Sequence, residues 1–105
     1  MKVCKLEYYV PKEYLEKVEH AVFSAGAGKI GNYDCCSWKT PGTGQFRPLE
    51  NSNPFIGSKN RTETVEEYKV ELICETDKIS AVIDALKKAH PYETPAFQYW
   101  KVEIN

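Results

Sequence analysis

The sequence predicts an α+β sandwich: one four-stranded antiparallel sheet with two helices on one face. Three observations predict it. Two stretches of strict alternation, residues 2–10 and 64–74, each lead into an apolar stripe at helical spacing. A glycine- and proline-rich interval separates these two strand–helix units. A last aromatic run, AFQYWKVEI at 96–104, supplies the closing strand. The order is βαββαβ, the ferredoxin-like arrangement, within a single domain over residues 1–105 that shows no internal repeat.

In the first strand Cys4, Leu6, Tyr8 and Val10 share one face, with Lys5, Glu7 and Tyr9 on the other. Pro11 suits the first turn of a helix, where a missing N–H costs nothing. Leu15, Val18, Ala21, Val22 and Ala25 then form a stripe, and GAG at 26–28 ends the helix. IGNYDCCSW at 30–38 is expected to be the second strand. The interval 38–63 is expected to form a hairpin arm, with TGQFRP as its short return strand, because a structureless loop of that length is unusual in a compact domain. In the third strand Tyr68, Val70, Leu72 and Cys74 face inward and Glu67, Lys69 and Glu71 outward. Thr76 is expected to cap the second helix, whose stripe is Ile79, Val82, Ile83 and Leu86. In the last strand Phe97 and Tyr99 lie on one face and Trp100 and Val102 on the other. Helices cover only one face, so aromatics on both point to contact with another subunit, the alternative being that the long arm folds back over the open face.

The chain of 105 residues carries a formal net charge of −1 with both signs interspersed, so no basic tract marks nucleic acid or an anionic membrane. No leader-like h-region and no apolar run of membrane-spanning length appear. The four cysteines have no C-x-x-C spacing, and a cytoplasmic chain with reduced thiols is expected.

The candidate chemistry centres on HPYETP at 90–95. His90 can bind a metal or move a proton near neutral pH, and Glu93 can orient it or act as a second ligand. The same residues can equally be helix punctuation, because Pro91 stops a helix and a histidine in the last turn complements the helix dipole. On a strand, Cys35 and Cys36 would point to opposite faces and could not grip one metal together. Cys4 and Cys74 read as core. GAGKIG at 26–31 has the wrong order for a dinucleotide fingerprint, although Lys29 could meet an anion there. His20 reads as an exposed helix residue. No Ser/His/Asp order and no H-E-x-x-H is present, and no catalytic residue is expected.

Read together, GAGKIGNYDCCSW, GTGQFRP, NPFIG, TETVEEYKVE and AHPYETPAFQYW resemble the inserted domain of Nif-three-like proteins (the NGG-interacting-factor family), and stand-alone versions of that domain. Gly26, Gly28, Ile30, Gly31, Tyr33, Cys36 and Ser37 fit its first motif; Gly42, Gly44, Phe46 and Pro48 the second; Pro54, Ile56 and Gly57 the third. Glu63, Val65, Glu67 and Glu71 fit the fourth, and His90, Pro91, Tyr92 and Glu93 the last. Asn60 stands where the pattern often has glycine, and asparagine is the next-best residue for a left-handed turn. The resemblance implies a fold like that of CutA and PII proteins, small ferredoxin-like chains that form trimers; CutA-type proteins carry a similar H-P-Y-E-x-P segment and are linked to divalent-metal tolerance. The dinuclear metal site of full-length Nif-three-like proteins lies in the two halves flanking this domain, so their hydrolase or cyclohydrolase labels are not expected to apply.

The leading expectation is a non-enzymatic homo-oligomer, a trimer, serving as a sensory or regulatory module. A small molecule in a cleft between subunits would order the 38–63 arm, with Lys29, Cys36, Arg47, His90, Tyr92 and Glu93 as contacts. The first alternative is a divalent-metal-binding protein holding Cu or Zn on His90, Glu93 and Cys36. The others are an enzyme with an inter-subunit site and a purely structural assembly domain.

Overall fold

The computed structural model describes residues 2–104. Strand β1 spans Val3–Pro11 and leads through a 3-10 turn, Lys12–Tyr14, into helix α1, Leu15–Ser24. Strand β2 spans Trp38–Phe46 and β3 spans Glu63–Glu75; a second 3-10 turn, Thr76–Lys78, leads into α2, Ile79–Ala89, and β4 spans Phe97–Val102. The sheet order is β2-β3-β1-β4 with every neighbouring pair antiparallel. This is the ferredoxin-like sandwich with two helices and a hairpin arm.

The alternation read from the sequence fixes the core. Leu6, Tyr8 and Val10 from β1 and Val70, Leu72 and Cys74 from β3 meet Val18 and Val22 of α1 and Val82 and Leu86 of α2. Eight of these ten side chains are wholly excluded from solvent, each contributing roughly 1.5–3 kcal/mol if apolar. The Tyr8 hydroxyl is buried among them with no hydrogen-bond partner among the described residues, and burial raises its pKa. The other sheet face is charged: Lys5 bridges Glu71 at 2.8 Å, Lys69 reaches Glu7 at 3.6 Å, and Gln98 donates to Glu7 at 2.9 Å. Trp38 on β2 and Trp100 on β4 flank this network and are 70% and 43% exposed.

Three expectations change. Residues 30–37 are not a strand. Gly31 and Cys35 take φ of 56° and 54°, left-handed values that break an extended chain, and Ile30 and Tyr33 pair only with each other across a turn. The two cysteines therefore do not alternate across a strand: Cys35 sits in a turn and is exposed, while Cys36 is half-buried. Secondly, TGQFRP is not a return strand. Its residues up to Phe46 belong to the outgoing β2, which pairs with β3 from Trp38 opposite Glu71 to Phe46 opposite Glu63. The arm is the part of this hairpin beyond β1, whose last partner is Glu67 opposite Pro11, together with the loop 47–62. It stretches the molecule to 46 Å against 24 and 22 Å. Thirdly, Thr76 does not cap α2, which has no side-chain cap; its hydroxyl lies 3.9 Å from Cys4 Sγ, at the limit of contact. Asn60 does adopt the left-handed turn, with φ 65°.

Candidate functional site

The HPYE segment lies where α2 ends against the far end of β1. His90 is the first non-helical residue after α2, with φ −73° and ψ 135°, the extended backbone that a following proline favours. Its ring turns inward and is 5% exposed. Nε2 lies 2.7 Å from the Tyr9 carbonyl, and the Tyr92 N–H donates to Nδ1 at 3.1 Å. These partners specify one tautomer: Nε2 carries the proton and Nδ1 accepts. The Tyr9 N–H meanwhile donates to the Ala96 carbonyl at 3.3 Å, so His90 takes the carbonyl at which the β1–β4 ladder ends. Burial lowers the pKa of His90, and the Tyr9 carbonyl and Glu67 only partly offset it.

Tyr92 and Glu93 carry the joint outward to the arm. The Tyr92 hydroxyl donates to Glu67 Oε2 at 2.8 Å, and burial, then that bond, raise its pKa. Glu67 lies over Gly44, where a Cβ would collide with its carboxylate. Glu93 Oε2 accepts the Asn53 backbone N–H at 3.0 Å and pins the loop. Phe46 packs at 5.8 Å from the Tyr92 ring, and Phe55 at the loop tip meets Tyr14 edge-on at 5.5 Å. Between the loop, β2 and the HPYE segment lies a cavity of about 420 Å³, lined by Tyr9, Phe46, Phe55, Ile56, Glu67 and Tyr92, with Arg47 and Glu93 also on its wall. That volume falls within the range of small-molecule sites.

The expected contacts thus divide into two groups. Arg47, Tyr92 and Glu93 line the cavity, and His90 stands behind Tyr92 as its support. Lys29 and Cys36 lie near the other end of the sheet. The Gly28 N–H bonds the Ile73 carbonyl and the Cys36 N–H bonds Gly28, and Ile73 pairs with Lys5, four residues from Tyr9, or about 13 Å along β1. His90, Glu93 and Cys36 do not converge, and no cluster of three or more His, Cys, Asp or Glu suited to a metal occurs among the described residues. Both nitrogens of His90 are already engaged, so a metal would have to displace a main-chain partner. Lys29 is exposed, as is His20. Two participants were not singled out from chemistry. The Tyr9 carbonyl is main chain and leaves no trace in residue type, and Glu67 reads as an ordinary outward strand residue; only its place in the TETVEEYKVE motif marks it.

No family profile matches the chain. It is 48% identical over 89 residues to the GTP cyclohydrolase 1 type 2 homolog of Mycobacterium leprae, covering 85% of this chain and 23% of that protein. Among solved structures it matches a Bacillus cereus protein related to NIF3, with 35% identity, a TM-score of 0.84, and coverage of 98% of this chain and 26% of the other. It also shares the fold of the periplasmic divalent cation tolerance protein CutA from Archaeoglobus fulgidus, at 17% identity and TM-score 0.67 over 98% of this chain and 86% of that one. The chain is therefore similar, over nearly its whole length, to a segment of NIF3-related proteins. It spans about a quarter of the length of the curated relatives it matches. No helix among the described residues is long and apolar enough to cross a membrane.

Proposed function

We propose that this chain, a relative of one segment of NIF3-related proteins, is a non-enzymatic regulatory module that holds a small ligand beneath its arm. The observation that carries this reading is the cavity of about 420 Å³, half open to solvent, that the loop and the HPYE segment border. The loop is tethered over it by Glu93 on the Asn53 N–H and by the contact of Phe55 with Tyr14, so an occupant would change how firmly the arm is held. The histidine and the tyrosine at the site are engaged in holding the chain. His90 spends both nitrogens on the backbone, and Tyr92 spends its hydroxyl on Glu67. This favours binding over turnover, and we assign any activity named for the relatives to the three quarters of those proteins outside the matched stretch.

The module is further proposed to be a cytoplasmic homo-oligomer, a trimer, associating through the sheet face away from the helices. Exposed Trp38 and Trp100 flank the charged network there, an arrangement of aromatic anchors suited to an interface. All four cysteines are free, as a reducing compartment would keep them.

Native mass spectrometry and amide hydrogen exchange with GTP, ATP, guanosine, adenosine, benzamidine, Zn²⁺ and Cu²⁺ test this together. The expected result is a trimer that takes up one of these probes per chain and then exchanges more slowly across residues 47–57. Equal exchange across that loop with every probe would refute the ligand reading, and a monomer at micromolar concentration would refute the assembly. The alternative of a Cu or Zn protein requires metal uptake that His90→Ala abolishes.

A further inference from the structure

The cavity is walled by rings and edged by carboxylates. Tyr9, Phe46, Phe55 and Tyr92 line it, the Phe46 and Tyr92 rings packed on each other at 5.8 Å and inclined at 56°. Aromatic faces carry negative potential and attract cations. Glu67 and Glu93 share the wall, and each commits one oxygen: Oε2 of Glu67 to the Tyr92 hydroxyl, Oε2 of Glu93 to the Asn53 N–H. Among the described residues, neither Oε1 takes part in a hydrogen bond or ion pair. Arg47 is the one basic side chain in the lining; it is exposed and bridges neither carboxylate. Two carboxylates against one guanidinium leave the wall net negative.

Resting on the pocket proposed above, the geometry points to a flat organic cation as the ligand class: an amidinium or aminated heteroaromatic ring that lies against the aromatic wall and donates N–H to a free carboxylate oxygen of Glu67 or Glu93. Charge-assisted bonds of that kind are the strong ones, and a cation over aromatic faces adds to them. Anions of the same shape meet two carboxylates and are rejected.

Benzamidine, benzamide and benzoate are a matched set for the test, being cationic, neutral and anionic on one ring. Titrated into the wild-type protein and followed by amide NMR, benzamidine is expected to shift the Asn53 and Tyr92 amides saturably. Benzamide should bind about tenfold more weakly or worse, and benzoate should leave both amides unmoved. The double variant Glu67→Gln, Glu93→Gln keeps an oxygen acceptor for the Tyr92 hydroxyl and for the Asn53 N–H, and an unchanged NMR fingerprint outside the pocket confirms its fold. It should lower benzamidine affinity to that of benzamide and leave benzamide as it was. Equal affinity for all three compounds, or tighter binding of benzoate, overturns the cation assignment while the pocket stands. Absence of any shift at the pocket amides also overturns it, and the pocket is then judged by the exchange experiment alone.

Discussion

Replacing His90 with alanine separates a structural joint from a ligand. The substitution removes the bond to the Tyr9 carbonyl at 2.7 Å and the acceptor for the Tyr92 N–H at 3.1 Å. Each is worth about 1 kcal/mol net, and the partners left behind are main-chain groups in a closely packed corner. Emptying the space of a ring that is 5% exposed costs about 1 kcal/mol more. The expected loss is about 3 kcal/mol, a fall in Tm of roughly 12–18 °C for a domain of this size. Urea unfolding at one fixed protein concentration, followed by tryptophan fluorescence, measures it as a shift in midpoint at constant slope. A loss under about 1 kcal/mol would refute the joint. Zinc or copper that stabilises the wild type and not the variant would refute it differently, by making the ring a metal ligand.

Three further outcomes follow from the same geometry. Burial holds the His90 pKa below its usual 6.5, so the unfolded chain binds the extra proton first; stability contributed by the neutral ring is present above pH 6.5 and lost as pH falls from there through the folded-state pKa. Denaturation midpoints measured across this range should show a slope that His90→Gln abolishes. Gly28→Ala should cost about 2–3 kcal/mol by thermal unfolding, because φ is 80° and the new Cβ would meet the Phe23 ring at 2.8 Å and the Cys36 carbonyl at 3.0 Å. Gly44→Ala should push the Glu67 carboxylate off Tyr92, costing about 1 kcal/mol and moving the Tyr92 ring resonances in NMR.

What could be read from the sequence was whatever packs against a helix. The inward residues of β1 and β3 alternate because one face is buried, and they gave strand and register signals at once. Strand β2 has no such signal. Its sequence WKTPGTGQF is exposed along most of its length and is held by its ladder to β3, which imposes no hydrophobic period. The turn at 30–37 misled in the opposite direction: Ile30 and Tyr33 look like strand residues, yet both are exposed. At the site, HPYE was legible as helix punctuation and as a motif. Its partners were not, since Tyr9 and Glu67 lie 81 and 25 residues away from the groups they bind. Lys29 and Cys36 were grouped with HPYE by motif alone, and the sheet holds them apart.

The loop beyond β2 is closed at its neck by main chain. The Asn60 N–H donates to the Pro48 carbonyl at 2.6 Å, and the left-handed backbone at Asn60 directs the chain back to β3. A loop whose two ends are clasped in this way behaves as an interchangeable cassette. Gly57 and Ser58 are exposed and precede the turn in which the Arg61 N–H bonds the Ser58 carbonyl at 3.2 Å, so length added between them leaves the clasp in place. A Gly-Ser insertion between Gly57 and Ser58 should change stability by under about 0.5 kcal/mol in the same urea assay. Length added there would leave both the loop's hold over the cavity and the sandwich beneath it unchanged.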